Sequence, residues 1–139
     1  MANTTFNGPV TSQNGFIAGH QVIASNAIDA TATATAAQVA TGYITSTSAG
    51  ATTITLPTGT LLGAELSATQ GTVFDLYIDN TGGASTVTVA VAVNGILSTA
   101  AADTAGSFGD LTVASGVTGV GRFTIMFSSA TAYVFTRTA

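Results

Sequence analysis

Cysteine, tryptophan and lysine are absent from this chain of 139 residues, and each absence narrows what it can do. Without cysteine there are no disulfides and no thiolate metal ligands, a pattern that fits assembly in a reducing cytoplasm. Without lysine the only cationic side chains are Arg122 and Arg137, and charged residues make up 6% of the chain, against roughly 25% in an ordinary soluble domain. The formal net charge of -4 leaves no basic patch to neutralise phosphates, so neither nucleic acid nor an anionic membrane is expected as a partner. There is also no run of about 20 apolar residues to span a bilayer. A small outer-membrane barrel would need aromatic girdles, and three tyrosines with no tryptophan do not supply them.

The groups that carry catalysis are equally scarce. His20 is the only imidazole, and within "FIAGHQVIA" it reads as a structural histidine rather than a general base. No G-x-S-x-G elbow selects a serine nucleophile. The glycines of "GVTGVGRF" are not followed by Lys-Ser/Thr, so they do not form a phosphate loop. Asp75 and Asp79 share one face of a strand but lie about 13 Å apart, at about 3.3 Å per residue, too far for a glycosidase pair. They are expected to be solvated. Asp103 and Asp110 bracket "DTAGSFGD", which lacks the alternating oxygen ligands of an EF-hand and reads as a surface loop. Arg122 and Arg137 either pair with carboxylates at a subunit contact or lie free on the surface. Neither an enzymatic activity nor a metal or cofactor is expected.

What the chain does have is apolar bulk and strand-forming patterns. Hydrophobic residues are 46% of the sequence, the reverse of a disordered composition. With so few charges, a lone molecule has little to keep it dispersed, so part of the surface is expected to be covered by other protein chains. In "TVFDLYIDNTGG", Phe74, Leu76 and Ile78 alternate with Asp75, Tyr77 and Asp79, as in a half-buried strand of an antiparallel sheet. "GRFTIMFSSATAYVFTRT" reads as two strands joined around Ser129 and Ala130. Its first strand turns Phe123, Ile125 and Phe127 inward, and its second sets Tyr133, Phe135 and Arg137 opposite Val134. "STVTVAVAVNGIL" predicts a hairpin, with Asn94-Gly95 forming a type I′ turn that returns the chain through Ile96 and Leu97.

"QVATGYITST" and "TTITLP" are shorter strand candidates, the latter stopped by Pro57. "TLLGAELSATQ" has room for one or two helical turns, weakened by Gly63. "DATATATAA" offers a thin alanine face, suited either to an intersubunit seam or to a linker. Many short strands, frequent glycine turns and no long amphipathic helix predict an all-β fold, an antiparallel β-sandwich or jelly-roll-like domain. The polar opening, residues 1–18, has neither a strand nor a helix period and no basic, apolar export signal. It is expected to be an extended N-terminal arm ahead of a single β domain over residues 19–139.

The opening "MANTTFNGPVTSQNGF" resembles the starts of small structural proteins of tailed phages, especially marine ones. The strings "TTITLP", "VFDLYIDNTGG" and "FTIMFSSATAYVF" are similar to β-rich capsid-associated proteins of such viruses. The family implied is the head decoration, or capsid-stabilising, proteins. That resemblance implies a homo-oligomer, a trimer in the common case, made in the host cytoplasm and bound to the major capsid protein on the outside of the virion. Carried over by position, the arm from Asn3 to Phe16 would lie extended on the lattice or a neighbouring subunit. Phe6 and Phe16 would anchor it, Pro9 would bend it, and Asn3, Asn7 and Val10 would complete the contact. The alternative is a receptor- or glycan-binding tail or fibre module, for which Tyr43, Tyr77 and Tyr133 are the available aromatic platforms.

Overall fold

Alternating apolar and polar residues become strands only when a second layer covers the apolar side, and here two sheets cover each other. The computed structural model describes residues 24–97 and 111–139. In chain order the elements are β1 (Asn26–Ala27), β2 (Ala32–Thr33), α1 (Ala36–Ala40), β3 (Tyr43–Thr45), β4 (Thr52–Thr55), α2 (Gly59–Glu65) and β5 (Val73–Asp79). There follow β6 (Val87–Ala90), β7 (Gly95–Leu97), β8 (Thr112–Val113), a short 3-10 turn (Gly116–Thr118), β9 (Val120–Ser129) and β10 (Ala132–Arg137). One sheet has six strands in the order β1-β3-β5-β9-β10-β7, the other four in the order β2-β4-β6-β8. Residues from both sheets, among them Ile44, Leu76 and Phe123 from the first and Ile54, Val87 and Val89 from the second, form one buried core.

The β-rich expectation holds, but the antiparallel jelly-roll order does not describe these sheets. From β1 to β6, successive strands fall in alternate sheets. Within each sheet they stack in parallel, with Tyr43 opposite Tyr77 in one and Thr52 opposite Val87 in the other. The chain therefore winds as a coil, each turn laying one strand on each sheet. Parallel neighbours need a crossover, and here the crossover is the strand in the opposite sheet together with its short helix. Period-two alternation is the same in parallel and antiparallel strands, so the sequence pattern does not distinguish them.

The predicted Asn94-Gly95 hairpin is overturned for the same reason. The β6 strand pairs with β4 and β8, whereas β7 crosses to the six-stranded sheet and runs parallel to β10. Asn94 does take a left-handed φ of 63°, but Gly95 lacks the positive φ that a type I′ turn requires. Gly95 is needed for space instead: a Cβ there would sit 2.7 Å from the Tyr133 hydroxyl and 2.9 Å from the Val91 Cβ.

The coil is closed by the β9–β10 hairpin, which inserts between β5 and β7 and pairs antiparallel with β5. As the alternation predicts, Phe123, Ile125, Phe127, Tyr133 and Phe135 all point inward and are buried. Phe123 and Phe135 stack with centroids 4.9 Å apart, and Phe127 tilts at 59° to Tyr133 across 5.8 Å. The Tyr133 hydroxyl donates to the Pro57 carbonyl at 2.9 Å, and burial pushes its pKa up to about 12. At the other end of β5, Asn80 is fully buried and ties the two sheets together. Its Nδ2 donates to the carbonyls of Ser85 (2.8 Å), Val113 (3.2 Å) and Ala114 (2.9 Å), and its N–H to Gly119 (2.6 Å).

Both helices begin at threonine caps. Thr35 forms a capping box with Gln38 at the start of α1, and the Thr58 hydroxyl accepts from the Leu61 N–H at the start of α2. Thus "DATATATAA" is a two-residue edge strand leading into a helix, and "QVA" belongs to α1 rather than to the strand that follows. Gly63 lowers the helix propensity of its segment but lets α2 rest on the β9–β10 turn. A Cβ at Gly63 would lie 1.9 Å from the Ala130 carbonyl oxygen, and one at Gly59 would lie 2.2 Å from that of Thr131.

Two outcomes follow. Gly63→Ala should destabilise the fold by about 3 kcal/mol, at the upper end for overpacking, while Gly50→Ala, which meets open space, should be near neutral. Equal urea midpoints for the two variants would contradict the close helix contact. Because the Tyr133 pKa is raised on folding, its contribution is complete below the ordinary tyrosine value of about 10 and is lost as pH rises toward about 12. Tyr133→Phe should therefore lose less stability than the wild type over that alkaline range, as measured by circular dichroism.

Candidate interaction face

The inward residues of the six-stranded sheet fill the core, which leaves the outward residues in rows fixed by the strand register. One row runs Val73, Met126, Val134, Ile96 across β5, β9, β10 and β7. Next come Asp75, Thr124 and Thr136, and beyond them Tyr43, Tyr77 and Arg122. Thr45, Asp79 and Val120 form the last row. In the first row Val73 (54% exposed), Met126 (48%) and Ile96 (55%) all stand largely in solvent. This is an apolar band four strands wide on a rigid surface.

The polar middle of the face is internally paired. Arg122 donates from Nη2 to Asp75 Oδ2 at 2.5 Å and from Nε at 3.2 Å, and the Thr124 hydroxyl donates to Asp75 Oδ1 at 2.8 Å. These bonds favour the carboxylate and hold the Asp75 pKa below its ordinary value. The Arg122 guanidinium also lies 6.0 Å from the Tyr77 ring centroid. Asp79 accepts from the Thr81 hydroxyl (2.6 Å) and N–H (2.9 Å) and from the Tyr43 hydroxyl (2.5 Å). The Thr81 hydroxyl, then Tyr43, lowers the Asp79 pKa, and the same Tyr43–Asp79 bond raises that of Tyr43.

Asp75 and Asp79, expected to be solvated, are thus the two electrostatic ties of this face. Arg122 pairs with Asp75 of its own chain. Arg137, on the inward side, donates to the carbonyls of Thr112 and Ala139 and packs 5.9 Å from the Phe123 ring centroid. Among the three tyrosines, Tyr133 is excluded as a surface platform by its burial, whereas Tyr43 and Tyr77 sit side by side and half-buried on adjacent strands.

The residues singled out for capsid or subunit binding, Asn3, Phe6, Asn7, Pro9, Val10 and Phe16, lie outside the described residues, as do His20, Asp103 and Asp110. Among the described residues no group of three histidine or carboxylate side chains is placed to hold a metal ion. No helix among them is long and apolar enough to cross a membrane. The apolar row was not anticipated, although part of its signal lies in the sequence. Met126 interrupts the polar side of "FTIMF", and Val134 does the same in "YVF". Their alignment with Val73 and Ile96 depends on strand register, which no single segment encodes.

Lowered aspartate pKa values have a definite consequence for pH. The stabilisation from Asp75 and Asp79 is complete above the ordinary aspartate pKa of about 3.9 and is lost as pH falls through the lower folded-state values. Thermal midpoints measured from about pH 5 to about pH 2.5 should fall more steeply for the wild type than for the Asp75→Asn, Asp79→Asn double variant. Parallel curves would contradict the assigned ties.

Compared with known protein families, curated proteins and solved structures, the chain matches none of them significantly.

Proposed function

We propose that this chain is a non-enzymatic viral structural protein that associates with itself, as a trimer, and binds the outside of a tailed-phage shell, stabilising it. One observation carries the reading: the outer face of the six-stranded sheet sets an exposed Val73–Met126–Val134–Ile96 row beside Tyr43, Tyr77 and Arg122. Methionine, tyrosine and arginine side chains are among the groups enriched where proteins meet proteins, and lysine is depleted there. The rows stand on hydrogen-bonded strands, so docking them costs little ordering entropy. Asp75 and Asp79 already have partners within the face, which lowers the cost of covering them. The resemblance of the opening segment and of three strand segments to head decoration proteins supplies the shell as the partner. The N-terminal arm adds a second grip, and three arms on one trimer would act together through effective concentration.

With so little charge on the chain, association should depend weakly on salt. Light scattering on dilute purified protein should report a trimer, and the trimer should co-pellet with empty shells of the encoding virus at both low and high ionic strength. Met126→Asp should remain folded while its binding weakens at least tenfold, about 1.4 kcal/mol. A stable monomer indifferent to shells would overturn the proposal, as would a Met126→Asp variant that assembles and pellets like the wild type.

A further inference from the structure

The sequence holds three Asn-Gly pairs, Asn7-Gly8, Asn14-Gly15 and Asn94-Gly95, and the last lies among the described residues. In such a pair no side chain shields the glycine nitrogen from the asparagine carboxamide. A backbone nucleophile and a side-chain electrophile are then neighbours. Asn94 is exposed and takes a left-handed φ of 63°. The backbone around it is clamped. The Val93 carbonyl accepts from the Gly59 N–H, the Asn94 carbonyl from the Tyr133 N–H, and the Gly95 N–H donates to the Ala92 carbonyl, each at 3.0 Å. Space is equally tight, since a Cβ at Gly59 would lie 2.7 Å from the Asn94 carbonyl oxygen.

The element that completes the clamp is a small one. β7 has three residues, runs parallel to β10 with Gly95 opposite Tyr133, and turns Ile96 largely into solvent. A short parallel ladder belongs at the low end of local opening free energies, so β7 lifts from β10 far more often than the whole chain unfolds.

We propose that Asn94 is a site of spontaneous deamidation and that the docking of β7 on β10 sets its rate. When β7 lifts, the Gly95 nitrogen loses its bond to Ala92, and Asn94 is free to turn its carboxamide toward that nitrogen. The nitrogen gives its proton to solvent and attacks Asn94 Cγ. The N–Cγ bond forms, the Cγ–Nδ2 bond breaks, and Nδ2 takes up a proton and leaves as ammonia. Water then opens the succinimide at either carbonyl, giving aspartate or isoaspartate. The net exchange is water in and ammonia out, with no oxidant or cofactor. Isoaspartate adds a methylene to the main chain immediately before Gly95, which breaks the Gly95–Tyr133 register and draws Ile96 out of the outer row. The chemistry does not depend on the shell-binding reading and is tested without shells.

The full-length chain is incubated at mildly alkaline pH with and without denaturing urea, and peptide mass spectrometry follows the amide-to-acid mass gain at each asparagine. In urea the three Asn-Gly pairs should react at similar rates and so calibrate one another. In native buffer Asn94 should still convert, with isoaspartate among its products, but at least about tenfold more slowly than in urea, a ratio equivalent to about 1.4 kcal/mol. Ile96→Gly weakens β7 at an exposed position. It should raise the native rate at least about threefold, with an unchanged circular dichroism spectrum and an unchanged rate in urea. An Asn94 that reacts as fast in native buffer as in urea, or a native rate indifferent to Ile96→Gly, would overturn the gate. An Asn94 that stays intact in native buffer over the times at which urea converts it completely, in both wild type and Ile96→Gly, would overturn the site itself.

Discussion

The rest of the structure depends on the insertion of the β9–β10 hairpin between β5 and β7. A parallel coil leaves an unpaired edge after its last turn, here along the seven residues of β5, and its other strands in that sheet, β1 and β3, have only two and three residues. The hairpin covers that edge with the longest strand among the described residues and delivers Phe123, Phe127, Tyr133 and Phe135 to the core in one piece. Fully burying each such side chain is worth about 1.5–3 kcal/mol. The same insertion positions α2, whose glycines fit only against the hairpin turn, and it sets Met126 and Val134 between Val73 and Ile96. Core, helix packing and outer apolar row therefore share one cause.

Scarcity of charge has a similarly broad effect. With only two arginines and six carboxylates in the chain, each ionic contact is local and specific. Arg122 and Asp75 fix the middle of the outer face, Tyr43 and Asp79 fix its far row, and Asp29 holds the Thr47 N–H (2.6 Å) and hydroxyl (3.0 Å) at a loop. Each of these carboxylates has a hydrogen-bond partner within the chain. The outer sheet face is apolar at one side and neutralised in the middle, as a surface made to be covered would be.

Much of this was legible in the sequence. The inward sets of β5, β9 and β10 follow from strict alternation, and the turn near Ser129 and Ala130 follows from the loss of bulk between two apolar runs. Other features depend on contacts between distant segments. Whether β3 and β5 run parallel is invisible in either segment alone. Asn94-Gly95 looks like a hairpin turn because its local chemistry suits one, yet the space beside Tyr133 determines what Gly95 is for. Gly63 reads as a defect in a helix until the Ala130 carbonyl is placed against it. The aspartates read as solvated because Thr124, Thr81, Tyr43 and Arg122, which bind them, lie on other strands or past a turn.

The central claim is that the outer face of the six-stranded sheet is an assembly surface. Hydroxyl-radical footprinting reports it directly, because methionine and tyrosine are readily oxidised and Met126 and Tyr77 stand in different rows of that face. The account predicts that both lose most of their reactivity when the protein is bound to shells, while the exposed Val117 turn keeps its own. Undiminished oxidation of Met126 and Tyr77 on saturated shells would contradict it.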